Sequence, residues 1–129
     1  GEPQGMEPGA RPVGTTITVN DLFYNTPARM KFLKKDASEG TFVSETVLHA
    51  ALSHPEISFR FLRDGKQQFL TPGDGDLRST VYAVLGREFA RDLLPVDGGS
   101  ELYKVTGLVT PPRACRASRG AQHFFVSGR

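Results

Sequence analysis

Apolar and polar positions alternate over residues 15–20 (TTITVN), with Ile17 and Val19 on one face and Thr16 and Thr18 on the other. Period-2 patterning in a β-branched run predicts a strand. The period breaks over residues 21–26, where Thr26 has the chemistry of a helix N-cap and Pro27 suits the first helical position, at which a missing N–H costs nothing. A short helix over residues 28–34 follows, with Phe32 and Leu33 inward and Arg29, Lys31, Lys34 and Lys35 directed elsewhere.

Asp36 and Glu39 have capping-box spacing and predict a second helix reaching about Ser53. Val43, Val47 and Ala51 form its stripe, widened by Leu48 and Leu52. Gly40 inside it costs ~1 kcal/mol relative to Ala, and Pro55 stops the helix. Residues 57–62 alternate again, Asp64-Gly65 is a hairpin signal, and residues 66–70 read as the returning strand. Asp76 caps a third helix with Leu77, Val81, Val84 and Leu85 on its buried side, closed by Gly86. A helical turn is expected at 88–91, strands at 93–96 and 102–109 around a turn at 97–100, and a last strand at 122–126. Between them, residues 113–120 (RACRASRG) are basic, small and flexible in character.

This order predicts an α+β fold: a mixed, mostly antiparallel sheet with helices packed on one face. Residues 1–13, with three prolines and three glycines, read as a flexible N-terminal segment. The chain ends just after a strand and turn, with no element to cover that strand, so the domain is expected to continue past Arg129.

Composition narrows the classes. The 129 residues are 38% hydrophobic and 23% charged, which is globular rather than disordered. A net charge of +2 is a weak argument for a polyanionic partner unless the basic residues cluster. A single cysteine, Cys115, excludes an internal disulfide and a cysteine-based metal cluster and fits a reducing cytoplasm. No apolar run approaches the ~20 residues that span a bilayer, so no membrane partner is expected.

No catalytic constellation is visible. His49, His54 and His123 are scattered, and Glu45 with His49 is one helical pair rather than a ligand set. Nothing places a base beside Cys115. Gly73-Asp74-Gly75 and Gly98-Gly99 lack the spacing of phosphate-binding loops. The basic residues say more. Arg113, Arg116 and Arg119 recur every three residues, which keeps them on one side of an extended or 3₁₀-like segment. Guanidinium groups bind phosphate bidentately, so the loop reads either as a phosphate-backbone contact or as a solvated loop with an internal ion pair. Nothing predicts base-specific readout.

The stretch GTTITVNDLFYNTPARMKFLKK resembles a signature of the MutL family of DNA mismatch repair ATPases, matching at Gly14, Thr15, Leu22, Phe23, Asn25, Pro27, Ala28, Arg29, Lys31, Phe32 and Leu33. A second run, Arg116, Arg119, Gln122, Phe125, Val126, Gly128 and Arg129, resembles the family's R-x-x-R-x-x-Q-x-x-FVNGR motif, with Ser127 in place of the usual Asn. The resemblance implies a transducer domain like the second domain of gyrase B over residues 36–129, truncated at its C-terminus. Residues 14–35 would be the end of the ATPase domain and its joint to the transducer, built on Phe23, Asn25, Pro27, Arg29 and Phe32. It also implies DNA-backbone contacts at Arg113, Arg116, Arg119 and Arg129, and a bacterial, cytoplasmic, DNA-associated setting. In the full-length protein it implies ATP and Mg²⁺, ATP-driven dimerisation, a mismatch-recognition partner and a downstream nuclease or helicase. The ATPase motifs would lie outside this chain, so the segment itself is expected to hold no cofactor and to have no activity of its own. The alternative is a stand-alone nucleic-acid-binding or structural interaction module of the same fold.

Overall fold

The computed structural model describes residues 5, 9–10, 12–115 and 117–129. The tail expected over 1–13 therefore falls largely outside the described residues. The chain divides into two compact units, Gly1–Leu33 and Lys34–Arg129.

In the first unit the strand expected at 15–20 does not form. A strand needs a neighbour for its backbone N–H and C=O groups, and this stretch has none among the described residues. Ile17 and Val19, the would-be sheet face, are 83% and 70% exposed. A tight turn follows, in which the Tyr24 N–H donates to the Asp21 carbonyl at 2.9 Å. Asp21 and Phe23 both take positive φ, 49° and 71°. For a bulky residue such as Phe23 that region is an outlier. The helix that follows, α1 (Pro27–Met30), is a single turn, shorter than the run expected at 28–34. Pro27 opens it as anticipated, but the Thr26 side chain makes no capping bond. The backbone does the work instead, as the Arg29 and Met30 N–H groups both reach the Thr26 carbonyl.

The second unit opens with α2 (Asp36–Ser53), as the periodicity predicts. Its start is one residue earlier than the capping box suggests. Lys35 occupies the cap position without a side-chain bond, and Glu39 reaches back to the Lys34 N–H at 2.8 Å. Half of the expected box thus survives, with Glu39 bonded two residues before Asp36. The Gly40 position also has a use that periodicity does not reveal: a Cβ there would collide with the guanidinium of Arg63. Arg63 lies against the helix at that point and donates to the Ala37 carbonyl.

Strands β1 (Arg60–Arg63) and β2 (Lys66–Leu70) form an antiparallel hairpin across Asp64-Gly65. Positive φ at both turn residues, 51° and 74°, matches the type I′ geometry that follows strand twist. Phe61 pairs with Phe69, their rings 5.6 Å apart. Residues 57–59, expected in the strand, are held by Thr71 instead. Its hydroxyl accepts from the Phe59 N–H at 2.8 Å and donates to the Ile57 carbonyl at 3.2 Å. Ser58 Oγ in turn donates to the Thr71 carbonyl at 2.6 Å. Thr71 is only 1% exposed, so this knot satisfies a polar group that would be costly to bury alone.

Helix α3 (Leu77–Leu85) is capped by Asp76, whose carboxylate accepts from the Arg78 and Ser79 N–H groups. Gly86, at φ 87°, ends α3 and leads straight into α4 (Arg87–Arg91). Leu52 of α2, Val81 of α3, Ala90 of α4 and Leu93 form the buried core, with Leu48, Leu77, Val84, Leu85, Phe89 and Leu108 packed on it. Arg78 fixes the α3–α4 corner by donating to the carbonyls of Ala90 (3.3 Å) and Leu93 (2.7 Å).

Strands β3 (Leu94–Gly99) and β4 (Lys104–Val109) form a second antiparallel hairpin. The turn expected at 97–100 lies three residues later, because Asp97 and Gly98 still pair with Thr106 and Val105. Ser100 and Tyr103 close it. The α+β class and the antiparallel pairing hold, but among the described residues the β structure is two two-stranded sheets rather than one. The two runs that would have extended them, 15–20 and 122–126, join no ladder among the described residues. Two 3₁₀ turns, η1 (Pro112–Ala114) and η2 (Arg119–Ala121), carry the chain to its end.

Candidate functional site

The arginine-bearing segment follows β4. Pro111 is buried and Pro112 opens η1, which holds Arg113 exposed on its middle residue. Arg119 is the first residue of η2 and is also exposed. Arg116, between them, lies outside the described residues. Arg129 closes a tight turn in which Val126 and Arg129 exchange both backbone hydrogen bonds, at 2.7 and 3.1 Å. Ser127 and Gly128 take φ of 51° and 76° there, the same pattern as Asp64-Gly65. The position where the resembling motif has Asn is therefore a left-handed turn residue, and its task is backbone geometry.

Four other arginines of the second unit are committed within the fold. Arg60 donates to Gln67, Arg63 rests on α2 beside Asp64, Arg78 holds two carbonyls, and Arg91 pairs with Glu88 and Asp92. The Asp92 side chain, by hydrogen bond and charge, holds the Arg91 guanidinium more firmly protonated than usual. Arg113, Arg119 and Arg129 make no side-chain hydrogen bond or ion pair among the described residues. In the second basic group, Lys34 lies 4.7 Å over the Phe42 ring.

Of the residues assigned to the joint, Phe23 is half-buried, and Asn25, Pro27, Arg29 and Phe32 are exposed, Phe32 by 85%. The Arg29 side chain makes no hydrogen bond or ion pair among the described residues.

A cleft of about 780 Å³ lies elsewhere, lined by Ser58, Thr71, Asp74, Asp76, Arg78 and Tyr82 among others. Its polar groups are already engaged. Ser79, through its hydroxyl, and the helix N–H groups hold the Asp76 carboxyl below its usual range, the mark of a cap rather than a proton donor. Asp74 accepts from the Asp76 N–H, and Arg78 is bound to carbonyls. Among the described residues this leaves no nucleophile–base pair and no set of free groups that would seat a nucleoside triphosphate with its magnesium. The described residues lining this cleft do not fit that cofactor.

One long-range arrangement escaped sequence reasoning. His49 Nε2 on α2 lies 3.1 Å from His123 Nδ1, 74 residues later in the chain. Phe125 sets its ring edge to His49 at 6.3 Å. Burial, with the charge of His49, keeps His123 more readily neutral than usual. No local pattern encodes such a pair.

Comparison with known proteins agrees with the sequence motifs. The family model for DNA mismatch repair protein, C-terminal domain, matches residues 81–129. The chain is 48% identical over 118 residues to DNA mismatch repair protein MutL of Symbiobacterium thermophilum, covering 92% of this chain and 19% of that protein. It is 42% identical over 118 residues to MutL of Agathobacter rectalis (92% and 18%) and 36% identical over 129 residues to MutL of Streptococcus pneumoniae (100% and 20%). The chain spans about a fifth of the length of these relatives. It belongs to the MutL family of DNA mismatch repair proteins.

Proposed function

We propose that this segment is the transducer-like part of a MutL-type mismatch repair ATPase, and that its own contribution is weak, sequence-independent contact with the DNA backbone. The observation that carries the reading is the set of exposed arginines, Arg113, Arg119 and Arg129, that make no side-chain hydrogen bond or ion pair among the described residues, in a unit where Arg60, Arg63, Arg78 and Arg91 are engaged. Guanidinium groups free of internal partners keep their donors for phosphate oxygens. Arg116 is assigned to the same surface from its spacing.

In this reading residues 14–35 connect the segment to an ATPase domain carried elsewhere in the protein, and Phe23, Asn25, Pro27, Arg29 and Phe32 belong to that connection. ATP and Mg²⁺ bind there, and the full-length protein dimerises and works with a mismatch recogniser and a nuclease or helicase in a bacterial cytoplasm. The segment alone turns over no ATP.

The test is fluorescence anisotropy with labelled duplexes of unrelated sequence at low salt. Equal binding to all duplexes, weakened by Arg113→Glu, Arg119→Glu and Arg129→Glu together, supports the reading. A strong preference for one sequence, or binding untouched by the three reversals, contradicts it.

A further inference from the structure

We propose that His49 and His123 form a transition-metal site of the zinc class, which clamps the 122–126 segment to α2. The two facing nitrogens, His49 Nε2 and His123 Nδ1, are 3.1 Å apart. A zinc ion ~2.0–2.1 Å from both would subtend an N–M–N angle of about 100°, between octahedral and tetrahedral values. The rings are inclined at 65° with centroids 5.1 Å apart. Imidazole suits zinc, copper and nickel. Each ring then carries its remaining proton on its other nitrogen, a tautomer open to both.

The backbone around the pair is placed for such a clamp. His49 is an exposed residue of a long helix, which gives it a fixed origin. His123 belongs to a segment that joins no ladder, yet Phe125 touches the same His49 ring and Gly128 lies beside His54 at the end of α2. A metal bridge fastens that segment where backbone hydrogen bonds do not. Among the described residues no third His, Cys, Asp or Glu joins the pair, so water completes the coordination and the affinity is modest.

The experiment titrates Zn²⁺ into the chain carrying Cys115→Ser, which removes the exposed thiol as a rival ligand, with calorimetry near neutral pH. The expected result is one equivalent bound saturably, at least about tenfold more weakly after His49→Ala or His123→Ala and unchanged after His54→Gln. Circular dichroism checks that the variants remain folded. Cu²⁺ bound to the Cys115→Ser chain gives a second readout that needs no histidine change: hyperfine coupling to two imidazole nitrogens. No saturable binding, affinity unchanged from the Cys115→Ser chain in either alanine variant, or coupling to fewer than two nitrogens overturns the proposal and leaves a hydrogen bond between the rings.

Discussion

At the scale of single residues, two glycines that look alike in sequence do different work. Gly40 sits in a helix of ordinary geometry, and a side chain there meets only the end of the flexible Arg63 side chain, which can swing away. Gly73 has φ 73°, and a Cβ would stand 2.6 Å from the Ser58 backbone nitrogen, which is held by the Thr71 knot. Gly40→Ala is therefore expected to range from neutral to a gain of about 1 kcal/mol, and Gly73→Ala to lose more than about 1 kcal/mol. Urea denaturation of both variants decides it; equal effects would show that the contact at Gly73 is not rigid. Asp76 makes a pH prediction. Its folded pKa is lowered from the ordinary 3.8 by the Ser79 hydroxyl first, then by the helix N–H groups. A depressed carboxylate contributes stability that is complete above the unfolded value and is lost as pH falls through the folded one. Asp76→Ala should therefore lower the melting temperature at neutral pH, and the gap from wild type should narrow as pH falls below 3.8. A gap independent of pH would mean that the capping charge contributes nothing.

At the scale of elements, the local signals that carry their own mechanism were legible. The α2 periodicity, the Asp64-Gly65 turn, the Asp76 cap and the Gly86 stop all appear where the residues place them. What was not legible depends on partners distant in sequence. TTITVN has the pattern of a strand, but pattern does not supply a neighbour, and the run at 122–126 fails for the same reason. The turn of the second hairpin was misplaced because Asp97-Gly98-Gly99 has turn composition while its backbone still pairs with β4. Of the candidate site, the arginines were visible by spacing, but their lack of internal partners was not, and the His49–His123 approach has no local signal at all. The closing turn yields a further prediction. Ser127 occupies the first left-handed position of a two-residue turn, where Asn is better tolerated. Ser127→Asn should stabilise the chain by up to about 1 kcal/mol. Thermal denaturation measures it, and a destabilised variant would show that the hydroxyl has a role besides the turn.

At the scale of the whole molecule, the described residues concentrate their buried contacts where α2, α3 and α4 meet, and leave large apolar side chains such as Leu102, Tyr103 and Phe124 in solvent. The charge is nearly balanced, +2 over 129 residues, so binding to a polyanion depends on how the cations are used and not on their number. Arg60, Arg63, Arg78 and Arg91 of the second unit are engaged within the fold, while Arg113, Arg119 and Arg129 of its last stretch make no such bond among the described residues, and this asymmetry is the basis for assigning DNA contact there. Phosphate contacts release counterions, so each contributes about −0.9 to the slope of log K against log salt. The decisive measurement is that slope for duplex DNA, in the unaltered chain and after Arg113→Glu, Arg119→Glu and Arg129→Glu. A slope near −3 to −4 that shrinks by about 1 with each reversal is the predicted result. A slope that is the same in all four proteins would contradict the assignment of DNA contact to these arginines.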